Sequence, residues 1–331
     1  MKRILFISAL VFVACSPKEQ EEIIPTLEAT VELAIPAYFP AYHIPQDNRL
    51  TKSRIALGKK LFFDKELSKD RTISCGSCHK QSAGFADTLA ISKGVFGRTG
   101  KRNAPTVYNM VFSPYFFAEG GVHTLEMQAL APIGDENEMD MLIADLVERL
   151  RPSAAYEELS MKAYNQSISP YVITRALAAY QRSLLSINAK YDDYLQGNST
   201  ALNTQELRGL TLFQSDSLAC ASCHTPPLFT NFEFYNVGLY ANYADNGRQR
   251  ITLAAEDNGK FKTPSLRNIA ITAPYMHDGS LKTLDEVVSH FAKGGNGHMN
   301  QDTLIKPFTL TSSDKDALIA FLKTLTDNEN N

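Results

Sequence analysis

The chain has 331 residues, of which 44 % are hydrophobic and 21 % charged, enough apolar material for two domains of ordinary size. Its formal charge of −3 comes without any basic tract, which argues against nucleic acid as a partner. The first residues read as an export signal. Lys2 and Arg3 precede the apolar run from Ile4 to Ala14, which is too short to remain as a membrane-spanning helix. Cys15 follows Phe12-Val13-Ala14 in the manner of a lipoprotein cleavage box; the other reading is a cysteine lost with an ordinary signal peptide. Residues 1–15 are therefore expected to be a lipoprotein-type signal. The mature protein would lie in the periplasm or cell envelope, held to the membrane by a lipid on Cys15 and not by a span.

Residues 16–50 are rich in Pro and Glu, which predicts a tether followed by a wrapping segment. From Leu50 onward the pattern is helical. Helices are expected around Ser53–Phe62, Ile143–Leu150, Val172–Ser186, Thr204–Leu212, Leu284–Phe291 and Asp314–Leu325, the last behind a Ser312-Ser313 cap. The connections between them are long and rich in Gly and Pro, as expected of a chain wrapped on a cofactor.

Two five-residue runs supply that cofactor: Cys75-Gly76-Ser77-Cys78-His79 and Cys220-Ala221-Ser222-Cys223-His224. Each is the attachment signature of a c-type haem, in which two thiols bond the porphyrin and the next His ligates the iron. A zinc site would need four ligands converging tetrahedrally, and a redox dithiol would need no His and would not occur twice. The four motif thiols leave only Cys15 of the five cysteines, so no disulfide framework is expected.

The chain also repeats itself. Gly58-Lys59-Lys60-Leu61-Phe62 precedes the first motif and Gly209-Leu210-Thr211-Leu212-Phe213 the second. Downstream, Pro105-Thr106-Val107-Tyr108-Asn109 matches Pro264-Ser265-Leu266-Arg267-Asn268. Gly120, Thr124, Leu125 and Glu126 then pair without a gap with Gly279, Thr283, Leu284 and Asp285. The fold class expected is mostly α, with two tandem cytochrome c-like domains, 51–200 and 201–331, each wrapping one covalent haem c.

With these residues in view, the chain resembles the bacterial di-haem cytochrome c peroxidase family, which includes the MauG-type enzymes. The resemblance runs from about Leu50 to Leu325. It is carried by Leu57-Gly58-Lys59-Lys60-Leu61-Phe62-Phe63-Asp64, Ile73-Ser74, Arg102-Asn103-Ala104-Pro105-Thr106-Val107-Tyr108-Asn109, and Leu125-Glu126-Met127-Gln128 to Glu138-Met139. In the second half it is carried by Phe261-Lys262-Thr263-Pro264-Ser265-Leu266-Arg267-Asn268 and Ala273-Pro274-Tyr275-Met276-His277-Asp278-Gly279.

The resemblance implies that the haem on His79 reacts with hydrogen peroxide and that the haem on His224 receives electrons from a small donor protein, a cytochrome c or blue-copper type. It gives Glu138 the role of proton-moving acid/base and Gln128 that of orienting amide. It places Arg102 and Arg267 where they could pair with haem propionates, and His277 near the second haem. Asn103 falls near an interdomain calcium site, and relatives often form homodimers.

Three departures stand out. The stretch Ser92-Lys93-Gly94-Val95-Phe96-Gly97 has Val95 where many relatives carry a distal His, so the first iron is expected to be open. Ala118 stands where an inter-haem Trp is usual, and the chain has no Trp at all, which argues against long-range oxidation of a partner protein. Phe291 falls where the second haem's distal ligand is expected. By the repeat, Glu138 and Met139 correspond to Gly297 and His298, so His298, Met299 and Met276 compete for that role with an open site. The reaction expected is peroxide reduction to water by a reduced cytochrome, with a MauG-type oxidase or a non-catalytic electron carrier as alternatives.

Overall fold

The structure, a computed structural model, describes residues 28–327. The expected signal peptide and Cys15 lie outside the described residues. The main helices are α1 (Lys52–Phe63), α2 (Ile143–Leu150), α3 (Ala154–Tyr164), α4 (Pro170–Ser183), α5 (Lys190–Leu195), α6 (Thr204–Phe213), α7 (Leu284–Lys293) and α8 (Ser312–Lys323). Short helical turns join them, and the strands β1 (Phe234–Tyr235) and β2 (Phe261–Lys262) pair antiparallel. No helix among the described residues is long and apolar enough to cross a membrane.

Local chemistry sets the helix limits. The α4 helix starts two residues before its expected position because Pro170 occupies the first helical turn and the Ser169 hydroxyl accepts the Val172 N–H. It stops at Ser183, short of the expected Ser186, whose backbone is claimed by Asn109. On α8 the cap is Thr311, not Ser312-Ser313: its hydroxyl accepts the Asp314 N–H at 3.1 Å and leaves both serines in the first turn. Thr283 and Glu286 form a reciprocal capping box on α7, as do Asn203 and Glu206 on α6.

The two halves repeat each other's packing. In the first, α1 crosses α4, and a Cβ on Gly58 would collide with the Ala176 carbonyl and the Tyr180 Cβ. In the second, α6 crosses α8, and a Cβ on Gly209 would collide with the Ala317 carbonyl and the Phe321 Cβ. The paired glycines of the sequence repeat thus let two helix backbones touch. Around each crossing lies an apolar core. One includes Leu57, Leu61, Phe62, Leu146, Val172 and Leu177; the other includes Phe213, Phe229, Val288, Leu318, Phe321 and Tyr191 of α5.

The halves meet across a seam with the same approximate two-fold character. The Asn103 N–H bonds the His277 carbonyl at 2.8 Å, and the Lys262 N–H, one repeat later, bonds the Ala118 carbonyl at 2.7 Å. Asn109 and Asn268, both in the left-handed region, converge on Ser186 in the connection between halves. Asn109 pairs with the Ser186 backbone through both ends of its amide (2.9 Å each), and Asn268 Nδ2 donates to the Ser186 hydroxyl (2.9 Å). The wrapping segment crosses the same seam. Phe39 stacks on Phe112 of the first half, and the Arg267 guanidinium of the second lies 4.7 Å above its ring.

Since the Gly209 contact is backbone against backbone, Gly209→Ala should cost about 1–3 kcal/mol of stability. Thermal melting of the purified holoprotein checks this, and a wild-type midpoint would show that the α6–α8 crossing relaxes freely.

Candidate functional site

Each Cys-x-x-Cys run forms a single helical turn, Cys75–Cys78 and Cys220–Cys223, and hands the following His to a fixed orientation. The His79 Nδ1 lies 3.1 Å from the Phe85 carbonyl and 2.9 Å from the Pro105 carbonyl. The His224 Nδ1 lies 3.0 Å from the Phe229 carbonyl, with the Pro264 carbonyl as a second acceptor. Carbonyls only accept, so each Nδ1 carries the proton and each Nε2 presents its lone pair. Burial holds both rings below the usual imidazole pKa and therefore neutral. All four thiols are free, and burial pushes Cys75 and Cys220 up to about 12. Neutral ring, free Nε2 and two unpaired thiols are the donor set a covalent haem requires, and it occurs twice.

Glu138 belongs to the first of these sites. The turn that carries it is tied down by Met139 and Met141, both buried in the first core, and by the bonds Met139 N–H to Pro132 O (3.2 Å) and Met141 N–H to Ile133 O (2.8 Å). Glu138 itself is not buried with them. Solvent can reach its side chain, yet surrounding protein desolvates the carboxyl, and that burial, with Asp135 nearby, pushes its pKa up to about 7. Its charge is felt by both Cys75 and Cys78. Val95 is fully buried beside it, and its N–H bonds the Glu138 carbonyl at 2.8 Å.

Known proteins resemble this chain over most of its length. Residues 52–200 match the family model for di-haem cytochrome c peroxidase. The methylamine utilization protein MauG of Methylorubrum extorquens is 37 % identical over 285 residues, covering 85 % of this chain and 80 % of its own. The chain belongs to the di-haem cytochrome c peroxidase family. The cytochrome-c peroxidase IdrP1 of a Pseudomonas species (strain SCT) is 33 % identical over 332 residues, covering 88 % and 86 % of the two chains. A solved MauG-like protein associated with microbial copper homeostasis superposes with a TM-score of 0.84 at 35 % identity, covering 90 % of this chain and 96 % of that one. The family is one of haem peroxidases, so the protein is an oxidoreductase with haem as its cofactor.

Within this di-haem peroxidase, Gln128 ends the short helix Leu125–Gln128 and is half-buried. The helix's rotation is fixed by Leu125 and Ala129, which pack inward, and by Glu126. Glu126 takes a bidentate pair from Arg182 (2.6 and 2.9 Å) and a bond from Asn48 Nδ2 (2.7 Å). Burial alone would raise the Glu126 pKa, but the Arg182 guanidinium outweighs it and holds the carboxyl below its ordinary value. Glu126 is thus a positioning residue that sequence reading treated only as part of a match.

The two arginines expected at haem propionates have protein partners here. Arg267 and Asp192 form a bidentate pair (2.8 Å each) with side chains 1 % and 0 % exposed, and Arg267 Nε bonds the Pro227 carbonyl. Arg102 pairs with Asp245 (2.6 and 3.0 Å) and with Glu119. No spacing rule signals these carboxylates, which lie 75 residues from Arg267 and 17 and 143 residues from Arg102.

His298 changes status. Its Nδ1 accepts from Asn236 Nδ2 and from the Asn300 N–H, both at 3.0 Å, so the ring proton sits on Nε2 and that nitrogen has no lone pair for a metal. Met299 is 91 % exposed, and Met276 lies in a left-handed turn, half-buried, at the repeat position of Phe117. His277 stacks on Phe261 with ring centroids 4.0 Å apart. Asn103 spends its amide nitrogen on the Leu89 and Ala90 carbonyls, and no group of three or more His, Cys, Asp or Glu converges as a metal site among the described residues. Lys262 was likewise read only as part of a match. Its ammonium sits at the seam on Ser113 Oγ (3.2 Å) and the Tyr115 carbonyl (2.9 Å), and burial pushes its pKa down to about 8.

Removing Glu126 leaves Arg182 buried without a counter-charge, so Glu126→Ala should lose about 3–5 kcal/mol of stability. Glu126→Gln, which keeps the Asn48 bond, should retain the fold with a smaller loss. Equal denaturation midpoints for Glu126→Ala and wild type would remove Glu126 from this role.

Proposed function

We propose that this protein reduces hydrogen peroxide to water with electrons from a small reduced cytochrome or blue-copper protein, outside the cytoplasmic membrane. Covalent haem at Cys75, Cys78 and His79 would supply an iron that binds and reduces peroxide, and haem at Cys220, Cys223 and His224 would supply the second electron. The observation that carries the reading is Glu138: a carboxyl with a pKa near the working pH, facing the site of the first thiol pair.

At that pKa Glu138 is roughly half ionised at neutral pH, so it can take a proton from the incoming peroxide and return it to the departing oxygen. Gln128, with one acceptor and two donor hydrogens on its amide, would orient the peroxide oxygens. Val95 cannot ligate iron, and its N–H ties the Glu138 carbonyl in place. The electron donor would meet the second half. Residues 1–15 would direct export, with Cys15 as a lipid anchor.

Cofactor content is checked first: the exported protein should show two covalent haems per chain by pyridine haemochrome absorbance, and Cys220→Ser with Cys223→Ser should leave one. Two haems retained in that variant would refute attachment there. The chemistry is checked by pH. Proton abstraction needs the ionised form, and the folded pKa lies above the ordinary 4.5, so the peroxidase rate should rise with pH to a half-maximum near 7. Glu138→Gln should lower kcat by about 10²–10⁴-fold and remove that limb. A variant with wild-type turnover and profile would exclude Glu138 as the proton carrier.

A further inference from the structure

One cluster of rings in the second half is not used by the chemistry above. By the repeat, His277-Asp278-Gly279 corresponds to Ala118-Glu119-Gly120, so His277 is the ring that the first half lacks at Ala118. His277 stacks on Phe261 at 4.0 Å and 16°, and Phe261 adjoins Lys262, whose N–H bonds the Ala118 carbonyl. The cluster therefore begins at the seam, where the family resemblance places the inter-haem aromatic. It continues outward. Tyr243 lies 5.9 Å from His277, and Tyr240 lies 5.6 Å from Tyr243 and 6.3 Å from His277, centroid to centroid.

Tyr240 ends the series at the surface, 38 % exposed. Its hydroxyl donates to Asp278 Oδ2 at 2.5 Å, while Asp278 Oδ1 takes the Ser280 N–H at 3.1 Å. The carboxyl is held below its ordinary pKa: burial works against this, but the Tyr240 and Ser280 bonds outweigh it. A phenol bonded to an ionised carboxylate has its proton acceptor in place before it loses an electron.

We infer that Tyr240, with Asp278 as proton acceptor, is the surface end of a ring relay through which oxidising equivalents reach phenolic substrates too large for the Glu138 site. The inference rests on the peroxidase function proposed above. Tyr240 gives one electron to the peroxide-oxidised protein and its proton to Asp278, leaving a neutral tyrosyl radical. An external phenol then transfers a hydrogen atom to the Tyr240 oxygen and departs as a phenoxyl radical, and the proton on Asp278 passes to solvent. Two such events and two protons match the two-electron reduction of one peroxide to two waters.

The test uses the holoprotein mixed with peroxide without a donor, freeze-quenched, and read by electron paramagnetic resonance. Wild type should give a tyrosyl signal that narrows on ring-deuteration of tyrosine. Tyr240→Phe should lose at least tenfold of it, and Asp278→Asn should form it at least tenfold more slowly. The rate at which peroxide changes the haem absorbance should be the same in all three. Oxidation of tyramine-coupled dextran should fall at least tenfold in Tyr240→Phe. Normal haem changes with an unaltered radical and unaltered dextran oxidation in Tyr240→Phe would overturn this inference alone. Such a variant that merely melted earlier would mark the Tyr240–Asp278 bond as a structural clamp. Wild type whose haem absorbance ignores peroxide would overturn the peroxidase reading, and the relay with it.

Discussion

A histidine can offer Nε2 to a metal only if something else takes the proton on Nδ1, and that constraint organises this molecule. In each half the proton goes to backbone carbonyls, one just past the helical turn of the motif and one at the proline of a distant segment, Pro105 or Pro264. Those prolines must be brought to the ring from elsewhere in the chain, so the segments carrying them are held in place. Four residues further on, Asn109 and Asn268 do the holding. Both adopt the left-handed conformation, and both are anchored at Ser186 and just past the ends of α4 and α8, through the Leu184 and Leu325 carbonyls at 2.9 Å. The orientation of each imidazole is thereby coupled to the seam between halves.

The same scaffold then carries two chemistries. The Gly58 and Gly209 crossings and the two cross-seam backbone bonds are nearly interchangeable. What differs is which side chains the repeat places on equivalent positions. Glu138, desolvated and half ionised near neutrality, has Gly297 as its counterpart, and Met139 has His298, whose Nδ1 is used up as an acceptor. The second half thus has no carboxyl at the position equivalent to Glu138. At another equivalent pair of positions the second half carries a ring, His277, where the first has Ala118. An approximate two-fold that repeats backbone but not chemistry is a direct way to hold an acid/base site and a ring-lined site at fixed separation.

Much of this was legible in the chain. The two Cys-x-x-Cys-His runs and the Pro-to-Asn repeats are local patterns whose spacing carries their meaning, and the helices at 143–150, 204–212 and 284–291 follow from apolar periodicity. The α3 helix was not predicted because its inward face is Tyr156, Ser160 and Ala163, a small and partly polar stripe that periodicity does not register. The Ser312-Ser313 cap was misplaced by one residue because three consecutive hydroxyl residues each qualify, and only backbone dihedrals choose among them. The partners of Arg267 and Arg102 were illegible for another reason. An ion pair such as Arg267–Asp192 depends on where two segments 75 residues apart arrive, and no spacing rule encodes that. The His298 tautomer belongs to the same class, since it is set by Asn236 from a different loop.

The seam also explains why buried charge is tolerated where the fold could have used apolar packing. Arg267 and Asp192 are fully enclosed, and such a pair gains little over well-packed hydrophobes. It does, however, demand one geometry. Arg267 reaches the Pro227 carbonyl next to the second motif, Asp192 sits on α5 in the connection, and Phe39 of the wrapping segment lies under the guanidinium with the Tyr38 hydroxyl on Asp192. One ion pair therefore joins three separate segments. Sliding any of them by a fraction of an ångström would strand a charge in a low-dielectric interior, at a cost far above that of a slipped methyl contact. Apolar contacts such as Phe39 on Phe112 supply adhesion at this seam, while the charged pair supplies register, and register is what fixes the distance between the two histidine sites.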